Sequence, residues 1–366
     1  MNDTQRVLDL LGMAVPIIQA PMAGATTPAM VKGAMRAGAL GSLPCAMLPP
    51  DQARAAVADI RGEVTGPLNL NFFCHRAPVP DAAREQRWRA LLAPYYEERG
   101  LDPSIPWRAA ARAPFDEHWC ALVEELRPEV VSFHFGLPDP ALVERVRASG
   151  ARILSSATTV VEARWLEEHG CDAIIAMGAE AGGHRATFLP MDGVPPESAL
   201  ARAMQPGTFA LLPQVVEAVS VPVIAAGGIA DPRGVAAAFA LGASGVQVGT
   251  AYLFTPEAAL APAHREALEA TGASDTAITN LFTGRPARSI INWLMRELGP
   301  MRDDLPDFPL VSAGLAPLRG DGSCPDLVSL WAGQSAHLSQ RGLDAEAVTA
   351  LLAGTLHHLG QSQPSR

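Results

Sequence analysis

The stretch from residue 221 to residue 250, "VPVIAAGGIADPRGVAAAFALGASGVQVGT", indicates how the chain folds. Two short apolar runs, 221–227 and 245–249, flank an amphipathic segment that starts at an Asp-Pro pair and ends near a glycine. Apolar runs without alternation are typical of strands buried on both faces, and a helix between two such strands makes them parallel. The stretch therefore predicts a strand–helix–strand unit of a parallel sheet.

The same unit recurs through the chain. Further apolar runs, each followed by a longer segment, lie at 16–20, 39–43, 68–73, 130–135, 152–157 and 173–177. Eight such units in succession predict an α/β fold of the (β/α)8 (TIM) barrel type. A doubly wound open sheet is the alternative, but the sequence contains neither its G-x-G-x-x-G turn nor a P-loop.

Three longer segments do not fit the short loops of a barrel. Residues 75–115 are predicted to be a helical insertion after the third strand, residues 186–212 a Pro/Gly-rich loop after the sixth, and residues 272–340 a mixed tail before a last helix near 344–358. We expect a barrel over 1–271 and, packed on it, a C-terminal lid segment with a closing helix over 272–366. Segments inserted after strands lie at the carboxyl-terminal face, where barrel enzymes have their active sites.

The composition excludes several classes of protein. The 366 residues are 48% hydrophobic and 18% charged, which is typical of a globular protein with a substantial core. A net charge of −10 without a basic tract argues against nucleic-acid binding. The five cysteines are scattered, and the sequence has neither a secretory signal nor a run of about 18 apolar residues. We therefore expect a cytoplasmic protein with reduced thiols and no membrane span.

The residues at the predicted strand ends restrict the chemistry. A glycosidase needs two opposed carboxylates there, and only Glu180 and Asp231 are near. A Schiff-base aldolase needs a strand-end lysine, whereas the only lysine, Lys32, falls on the first helix predicted after a strand. The histidines near the strand ends lack the spacing of a metal-binding motif, so no metal site is predicted.

An anion site remains as the strongest interpretation. Gly227–Gly228 and Gly249–Thr250 follow the seventh and eighth strands, where barrels commonly bind phosphate through backbone N–H groups. Tight strand-to-helix turns need the same small residues, so both interpretations stay open. The amides of Asn69, Asn71 and Gln247 among these glycines suit a flat, largely apolar cofactor with a phosphate tail, such as flavin mononucleotide (FMN).

The histidine of "AGGHR" (181–185) is the candidate catalytic residue. His184 follows two glycines beyond the sixth strand, and an imidazole can exchange a proton near neutral pH. A loop histidine that only caps backbone groups is the alternative. His134 lies inside an apolar strand and fits a buried supporting role equally well, and His75 opens the insertion. For the arginines of "GRPAR" (284–288), a surface or dimer contact is favoured.

Eight motifs carry a resemblance to a known family. In chain order they are "IIQAPMAG", "NFFCH", "VSFHFG", "GAEAGGHR", "PVIAAGGIAD", "QVGTA", "GRPAR" and "LWAGQ". Their order and spacing resemble the nitronate monooxygenase family, formerly called 2-nitropropane dioxygenases, from about Pro16 to the last helix. The resemblance implies an FMN-dependent (β/α)8 barrel that oxidises alkyl nitronates with molecular oxygen. For such a protein we expect a nitronate or nitroalkane and O2 as partners, and a monomer or homodimer.

The resemblance also implies roles for individual residues. His184 would be the catalytic histidine, Met22 and Asn71 would lie at the flavin ring, and Trp331 would help close the site from the tail. The implied cofactor site consists of Met22, Asn71, Met177, Gly182, Gly183, Gly227, Gly228, Gln247, Val248, Gly249, Thr250, Trp331 and Gln334. Within it, Gly228 and the run 247–250 would hold the ribityl phosphate.

Two positions depart from the family pattern, and two rival functions stay open. Met177 stands where the family usually has glutamine, and Ala186 where it usually has glycine. A glutamine amide can hydrogen-bond a flavin edge, whereas a thioether can only pack against it. An NAD(P)H-dependent flavin reductase of the enoyl-acyl-carrier-protein or quinone reductase type shares the "AGGH" turn. A non-catalytic FMN-binding protein is the other alternative, and Met177 is the feature that favours it.

Overall fold

Eight parallel strands form one sheet in the computed structural model, which describes residues 3–107, 113–190, 193–194, 201, 204–272, 274–320 and 325–359, with side chains as far as residue 354. The barrel strands are β1 (Ile17–Gln19), β2 (Gly41–Pro44), β3 (Leu68–Phe73), β4 (Val130–His134), β5 (Arg152–Ala157), β6 (Ala173–Met177), β8 (Val223–Ala226) and β9 (Gly245–Val248), and β7 (Gly183–His184) lies outside the barrel. From β2 onward each barrel strand pairs with the following one, β9 pairs with β1, and a bridge between Ile18 and Leu40 joins β1 to the chain leading into β2. The prediction of a (β/α)8 barrel is confirmed.

Helices follow the strands and pack around them. The helices are α1 (Asp3–Leu11), α2 (Pro28–Arg36), α3 (Pro50–Glu63), α4 (Ala82–Glu98), α5 (Glu117–Leu126), α6 (Pro140–Ala148), α7 (Val160–Glu168), α8 (Thr208–Ala218), α9 (Pro232–Ala240), α10 (Thr250–Leu253), α11 (Pro262–Ala270), α12 (Trp293–Leu298), α13 (Val311–Arg319) and α14 (Ala345–Leu359). Several begin with a side-chain cap followed by proline, which has no N–H to leave unpaired. Asp231, for example, accepts hydrogen bonds from the backbone N–H groups of Arg233 and Gly234. Among the described residues, no helix combines the length and apolar character that crossing a bilayer requires.

Helix α1 closes one end of the barrel, and the sequence pattern did not predict it. Val7 and Leu11 on its buried face pack with Ile18, Leu40 and Ile175 from the barrel strands. These strand residues point into the barrel, so α1 covers its apolar interior from the amino-terminal side. The opposite, carboxyl-terminal end is left for the site.

The helical insertion and the tail pack on each other. Helix α4, in the insertion after β3, shares one apolar cluster with the tail. Its Trp88 Nε1 donates to the carbonyl of Val311 at 3.2 Å, and the Tyr96 hydroxyl donates to the carbonyl of Gly314 at 2.7 Å. The predicted loop 186–212 lies partly outside the described residues, and α8 begins within it at Thr208.

The tail contributes a small sheet of its own. Strands β10 (Thr276–Thr279) and β11 (Ala287–Ile290) pair antiparallel, and β11 also pairs with β7. In that second pairing Ala287 lies opposite His184 and Arg288 opposite Gly183. The segment that carries the candidate catalytic histidine is therefore an edge strand of a sheet built by the tail.

Candidate active site

A cavity of about 430 Å³ opens at the carboxyl-terminal ends of the barrel strands. This volume falls in the range of about 300–1,000 Å³ that is usual for ligand pockets. Most of the predicted site residues line it: Met22, Asn71, Met177, Gly182, Gly183, His184, Gly227, Gly228, Gln247, Gly249, Thr250 and Trp331. Val248 is buried in β9, and Gln334 has an exposed side chain, so neither is among the described residues that line the cavity.

The glycines after β8 adopt a backbone conformation that other residues rarely reach. Gly227 has φ of 102° and Gly228 has φ of 74°. A Cβ atom at Gly227 would lie 3.0 Å from both the Ala181 backbone nitrogen and the Thr208 hydroxyl. Glycine adopts such φ values without the steric cost that a Cβ atom would impose. After β9, Gly249 leads directly into α10.

The tail segment 331–335 is fastened across these same loops. The Ser335 hydroxyl donates to the carbonyl of Gly228 at 2.9 Å, and the Gly333 N–H donates to Thr250 Oγ1 at 2.9 Å. A Cβ atom on Gly182 would come within 2.6 Å of the backbone of Ala332 and Gly333. The Thr250 hydroxyl accepts from Gly333 and has no acceptor of its own among the described residues, so its proton can be donated to a ligand.

His184 is fixed through both its ring and its backbone. Its Nε2 lies 3.0 Å from the hydroxyl of Thr283, and its carbonyl lies 3.1 Å from Nε2 of His134. The imidazole also contacts the rings of Phe308 and Trp331, with centroid distances of 5.3 and 5.4 Å. The imidazole of His184 is therefore held in a defined position at the cavity wall.

His134 lines the cavity as well, and its ring is neutral. Because a carbonyl oxygen can only accept, the hydrogen bond to His184 requires a proton on Nε2 of His134. Burial lowers the pKa of His134 to about 3, because desolvation disfavours the charged ring. His75 is also buried, with its ring 4.8 Å from Phe308, and it is not among the described residues that line the cavity.

The two carboxylates near the strand ends serve as helix caps. The Glu180 carboxylate accepts from the N–H of Thr208 at 2.8 Å and from its hydroxyl at 2.9 Å, at the start of α8. Asp231 caps α9 in the same way. Among the described residues, no three His, Cys, Asp or Glu side chains are grouped to hold a metal ion.

The surface interpretation is wrong for one of the two "GRPAR" arginines, Arg288. Arg288 is buried, and its Nε donates to the carbonyl of Ala179 at 2.7 Å while Nη1 donates to Thr276 Oγ1 at 3.1 Å. The Arg285 guanidinium lies over the ring of Phe135 at 3.9 Å. Both arginines therefore fasten the tail to the loops of the site. Their carbonyl and ring partners are distant in sequence, so no local pattern reveals them.

Arg185 is a supporting residue that the sequence reasoning did not assign. It is fully buried, its Nη2 donates to the carbonyl of Met177 at 2.7 Å, and its Nη1 donates to that of Gly178. Burial lowers the pKa of the guanidinium to about 10, which still leaves it charged at neutral pH. Arg185 thus holds the end of β6 against the loop that carries His184. Its position directly after His184 was the available signal.

The comparisons with known proteins agree with this geometry. Residues 4–354 match the sequence model of the nitronate monooxygenase family. The nitronate monooxygenase of Pseudomonas aeruginosa is 40% identical over 359 residues, covering 95% of this chain and 98% of that protein. The crystal structure of nitroalkane oxidase from Streptomyces ansochromogenes superposes with a TM-score of 0.86 and 34% identity, covering 97% of this chain and 99% of that one. FabK from Thermotoga maritima gives a TM-score of 0.72 at 26% identity, covering 97% of both chains.

The match to the family extends over nearly the whole chain rather than over one motif. It includes the barrel, the insertion after β3 and the tail that builds the sheet beside His184. On this basis the chain belongs to the nitronate monooxygenase family, which is a family of oxidoreductases.

Proposed function

We propose that this protein is an FMN-dependent enzyme that oxidises alkyl nitronates with molecular oxygen, and that His184 is its proton-accepting and anion-stabilising group. The observation that carries the proposal is the placement of His184. Its imidazole lines the cavity that the glycine turns after β8 and β9 also line, and hydrogen bonds fix both its ring and its carbonyl.

The groups around the cavity suit FMN. Backbone N–H groups at Gly228, Gly249 and Thr250 would hold the phosphate, since the left-handed turn and the start of α10 provide donors without a competing side chain. The amide of Asn71 would contact the flavin ring, and Gln247 would lie with the groups that hold the phosphate. FMN held by these residues would supply the redox chemistry between the substrate and oxygen.

The imidazole of His184 suits both forms of the substrate. A nitronate already carries negative charge, so its oxidation does not require a strong base. A neutral nitroalkane must first lose an α-proton, and a histidine can accept that proton near neutral pH. Once protonated, His184 stabilises negative charge beside it. His134 does not compete for this role, because its Nε2–H is used on the His184 carbonyl and its low pKa keeps the ring uncharged.

Apolar side chains line the cavity beside His184. Phe73 and Trp331 are among them, with ring centroids 6.2 and 5.4 Å from the imidazole. Met22 and Leu253 add further apolar surface. A site of this polarity strengthens the interaction between an imidazolium and an anionic substrate.

A reductase that uses NADH or NADPH is the second candidate function. Its support is the similarity of the whole chain to FabK, at a TM-score of 0.72. That similarity is weaker than the one to nitroalkane oxidase, whose TM-score is 0.86. We therefore place the nitronate reaction first.

Oxygen consumption by the flavin-loaded protein tests the proposal. We expect turnover with the nitronates of nitroethane and 1-nitropropane, and little with NADH or NADPH. His184→Asn should lower kcat/KM for a neutral nitroalkane by about 10²- to 10⁴-fold, the usual contribution of a general base, and for the nitronate by less. His118→Asn, at an exposed position on α5, is the matched control and should behave as the wild type.

Turnover that depends on a nicotinamide and not on a nitronate would contradict the proposal and favour the reductase. Bound flavin without either activity would favour a non-catalytic protein.

A further inference from the structure

Thr283 is a tail residue that touches the candidate catalytic histidine directly. It lies 99 positions from His184 in sequence, yet its Oγ1 is 3.0 Å from Nε2 of the imidazole. The side chain is buried, so water does not compete for this hydrogen bond. The sequence motifs assign no role to this threonine.

The hydroxyl of Thr283 has a second partner that determines its direction. It lies 3.3 Å from the carbonyl oxygen of Arg285, and the Arg285 N–H points back to it at 3.4 Å. A hydroxyl has one proton to donate and two lone pairs to accept with. If it donates to the Arg285 carbonyl, it can accept from both the Arg285 N–H and an N–H on His184.

The reverse direction serves the site less well. If the hydroxyl donated to Nε2, the Arg285 carbonyl would lose its hydrogen bond to Thr283, and the imidazole would have to carry its proton on Nδ1. A charged imidazole, with protons on both nitrogens, would then place a donor against a donor. Both hydrogen bonds can form with the neutral and with the protonated ring only if Nε2–H of His184 donates to Thr283 and the Thr283 hydroxyl donates to the Arg285 carbonyl.

We propose that Thr283 is a positioning residue that holds His184 in its Nε2–H tautomer, which leaves the lone pair of the ring on Nδ1. This inference rests on the proposed function, because it assigns an orientation to the base of that reaction. A proton that arrives on Nδ1 produces an imidazolium whose Nε2–H already has its acceptor. The ring does not need to turn during the reaction.

The tail therefore orients the base as well as covering the site. Thr283 of the tail hydrogen-bonds the ring of His184, and strand β11 of the tail pairs with the backbone of His184 through Ala287. The fixed backbone matters, because a ring on a mobile loop would not keep its Nε2 opposite the threonine. A purely packing role for Thr283 would instead be filled equally well by valine, which has the same shape without the hydroxyl.

Nuclear magnetic resonance of the flavin-loaded protein with 15N-labelled histidine tests this assignment without relying on turnover. His184→Asn identifies the signals, and the nitrogen shifts report which ring nitrogen carries the proton. We expect the Nε2–H tautomer in the wild type and in Thr283→Ser. In Thr283→Val we expect a mixed tautomer and a titration midpoint lower by about one pH unit, since the charged ring loses one hydrogen bond. The pH profile of kcat/KM should move in the same direction.

Thr279→Val is the matched control, because Thr279 is buried in the same tail but is placed outside the catalytic machinery. It should leave the tautomer and the titration unchanged. An Nδ1–H tautomer in the wild type, or a Thr283→Val protein that titrates as the wild type does, would overturn the proposal. A wild-type protein with the Nε2–H tautomer but no nitronate turnover would support the positioning role and count against the proposed function alone.

Discussion

Nε2 of His134 lies 3.1 Å from the carbonyl oxygen of His184, so the ring of one cavity histidine holds the backbone of the other. The two residues occupy different elements: His134 ends β4, and His184 belongs to β7 beside the tail. The hydrogen bond divides their roles. His134 stays neutral and positions the loop, and in the proposed function His184 is the histidine that takes part in the reaction.

The low pKa of His134 makes stability depend on pH. Burial places this pKa at about 3 in the folded protein, below the value of about 6.5 expected in the unfolded chain. As pH falls below about 6.5, the unfolded chain binds a proton that the folded protein does not bind. The free energy of unfolding therefore keeps its full value above that pH and falls by about 1.4 kcal/mol per pH unit on acidification. We expect urea unfolding to show that the free energy of unfolding of the wild type falls by about 2 kcal/mol more between pH 7 and pH 5 than that of His134→Gln, whose side chain does not titrate. Equal losses in the two proteins would show that His134 is not a buried neutral ring.

The contact between Gly182 and the tail predicts a sensitive position for cofactor retention. Gly182→Ala would bring a Cβ within 2.6 Å of the Ala332 and Gly333 backbone, so the tail must move away from the site. We expect a lower flavin content after purification. We also expect the free energy of unfolding to fall by about 1–3 kcal/mol, which is typical of overpacking. Gly62→Ala, at an exposed position in α3 with open space around it, is the control and should stabilise by about 0.5–1 kcal/mol. Full flavin retention in Gly182→Ala would contradict the close contact.

Replacing Met177 is predicted to change the reduction potential of the bound flavin. Its side chain lines the cavity but has no N–H to offer a flavin edge. Met177→Gln should make the reduction potential of the flavin more positive by about 20 mV, the two-electron equivalent of one hydrogen bond to the reduced form. Met177→Leu keeps an apolar side chain of similar size and should leave the potential unchanged. Equal potentials in all three proteins would mean that this side chain does not reach the flavin.

Burial of Arg288 predicts a structural cost for its removal. Arg288→Met keeps much of the volume but leaves the Ala179 carbonyl without the hydrogen bond at 2.7 Å. We expect a loss of about 1–3 kcal/mol in the free energy of unfolding, as for other buried groups that lose a partner. Arg36→Met, which breaks an exposed ion pair with Glu63, should change stability by less than about 1 kcal/mol. Equally small changes in the free energy of unfolding for both substitutions would indicate that Arg288 is a surface residue, as its sequence suggested.

The barrel could be predicted from the sequence because its signals are local. Each predicted apolar run overlaps an observed barrel strand, and the glycines after β8 and β9 line the cavity as expected. Helix α1 was missed because a short amphipathic segment outside the strand–helix repeat gives no indication of what it covers. The boundary between barrel and tail at residue 272 stays a prediction.

The supporting residues of the site could not be predicted, because their partners are far away along the chain. Thr283 meets His184 across 99 positions, and Arg288 meets Ala179 across 109. Whether an arginine is buried depends on carbonyl groups supplied by other segments, which no period or motif encodes. The "GRPAR" arginines were therefore assigned to the surface, where isolated arginines usually lie.

The most direct test of the central claim is the visible spectrum of the purified protein, mixed without oxygen with an alkyl nitronate. We expect a flavin spectrum that changes promptly from the oxidised form when the nitronate is added, and recovers on admission of air. We also expect that His118→Asn behaves as the wild type. A flavin that stays oxidised with the nitronate, but is reduced by NADH or NADPH, would contradict the nitronate reaction and assign the site to the reductase class.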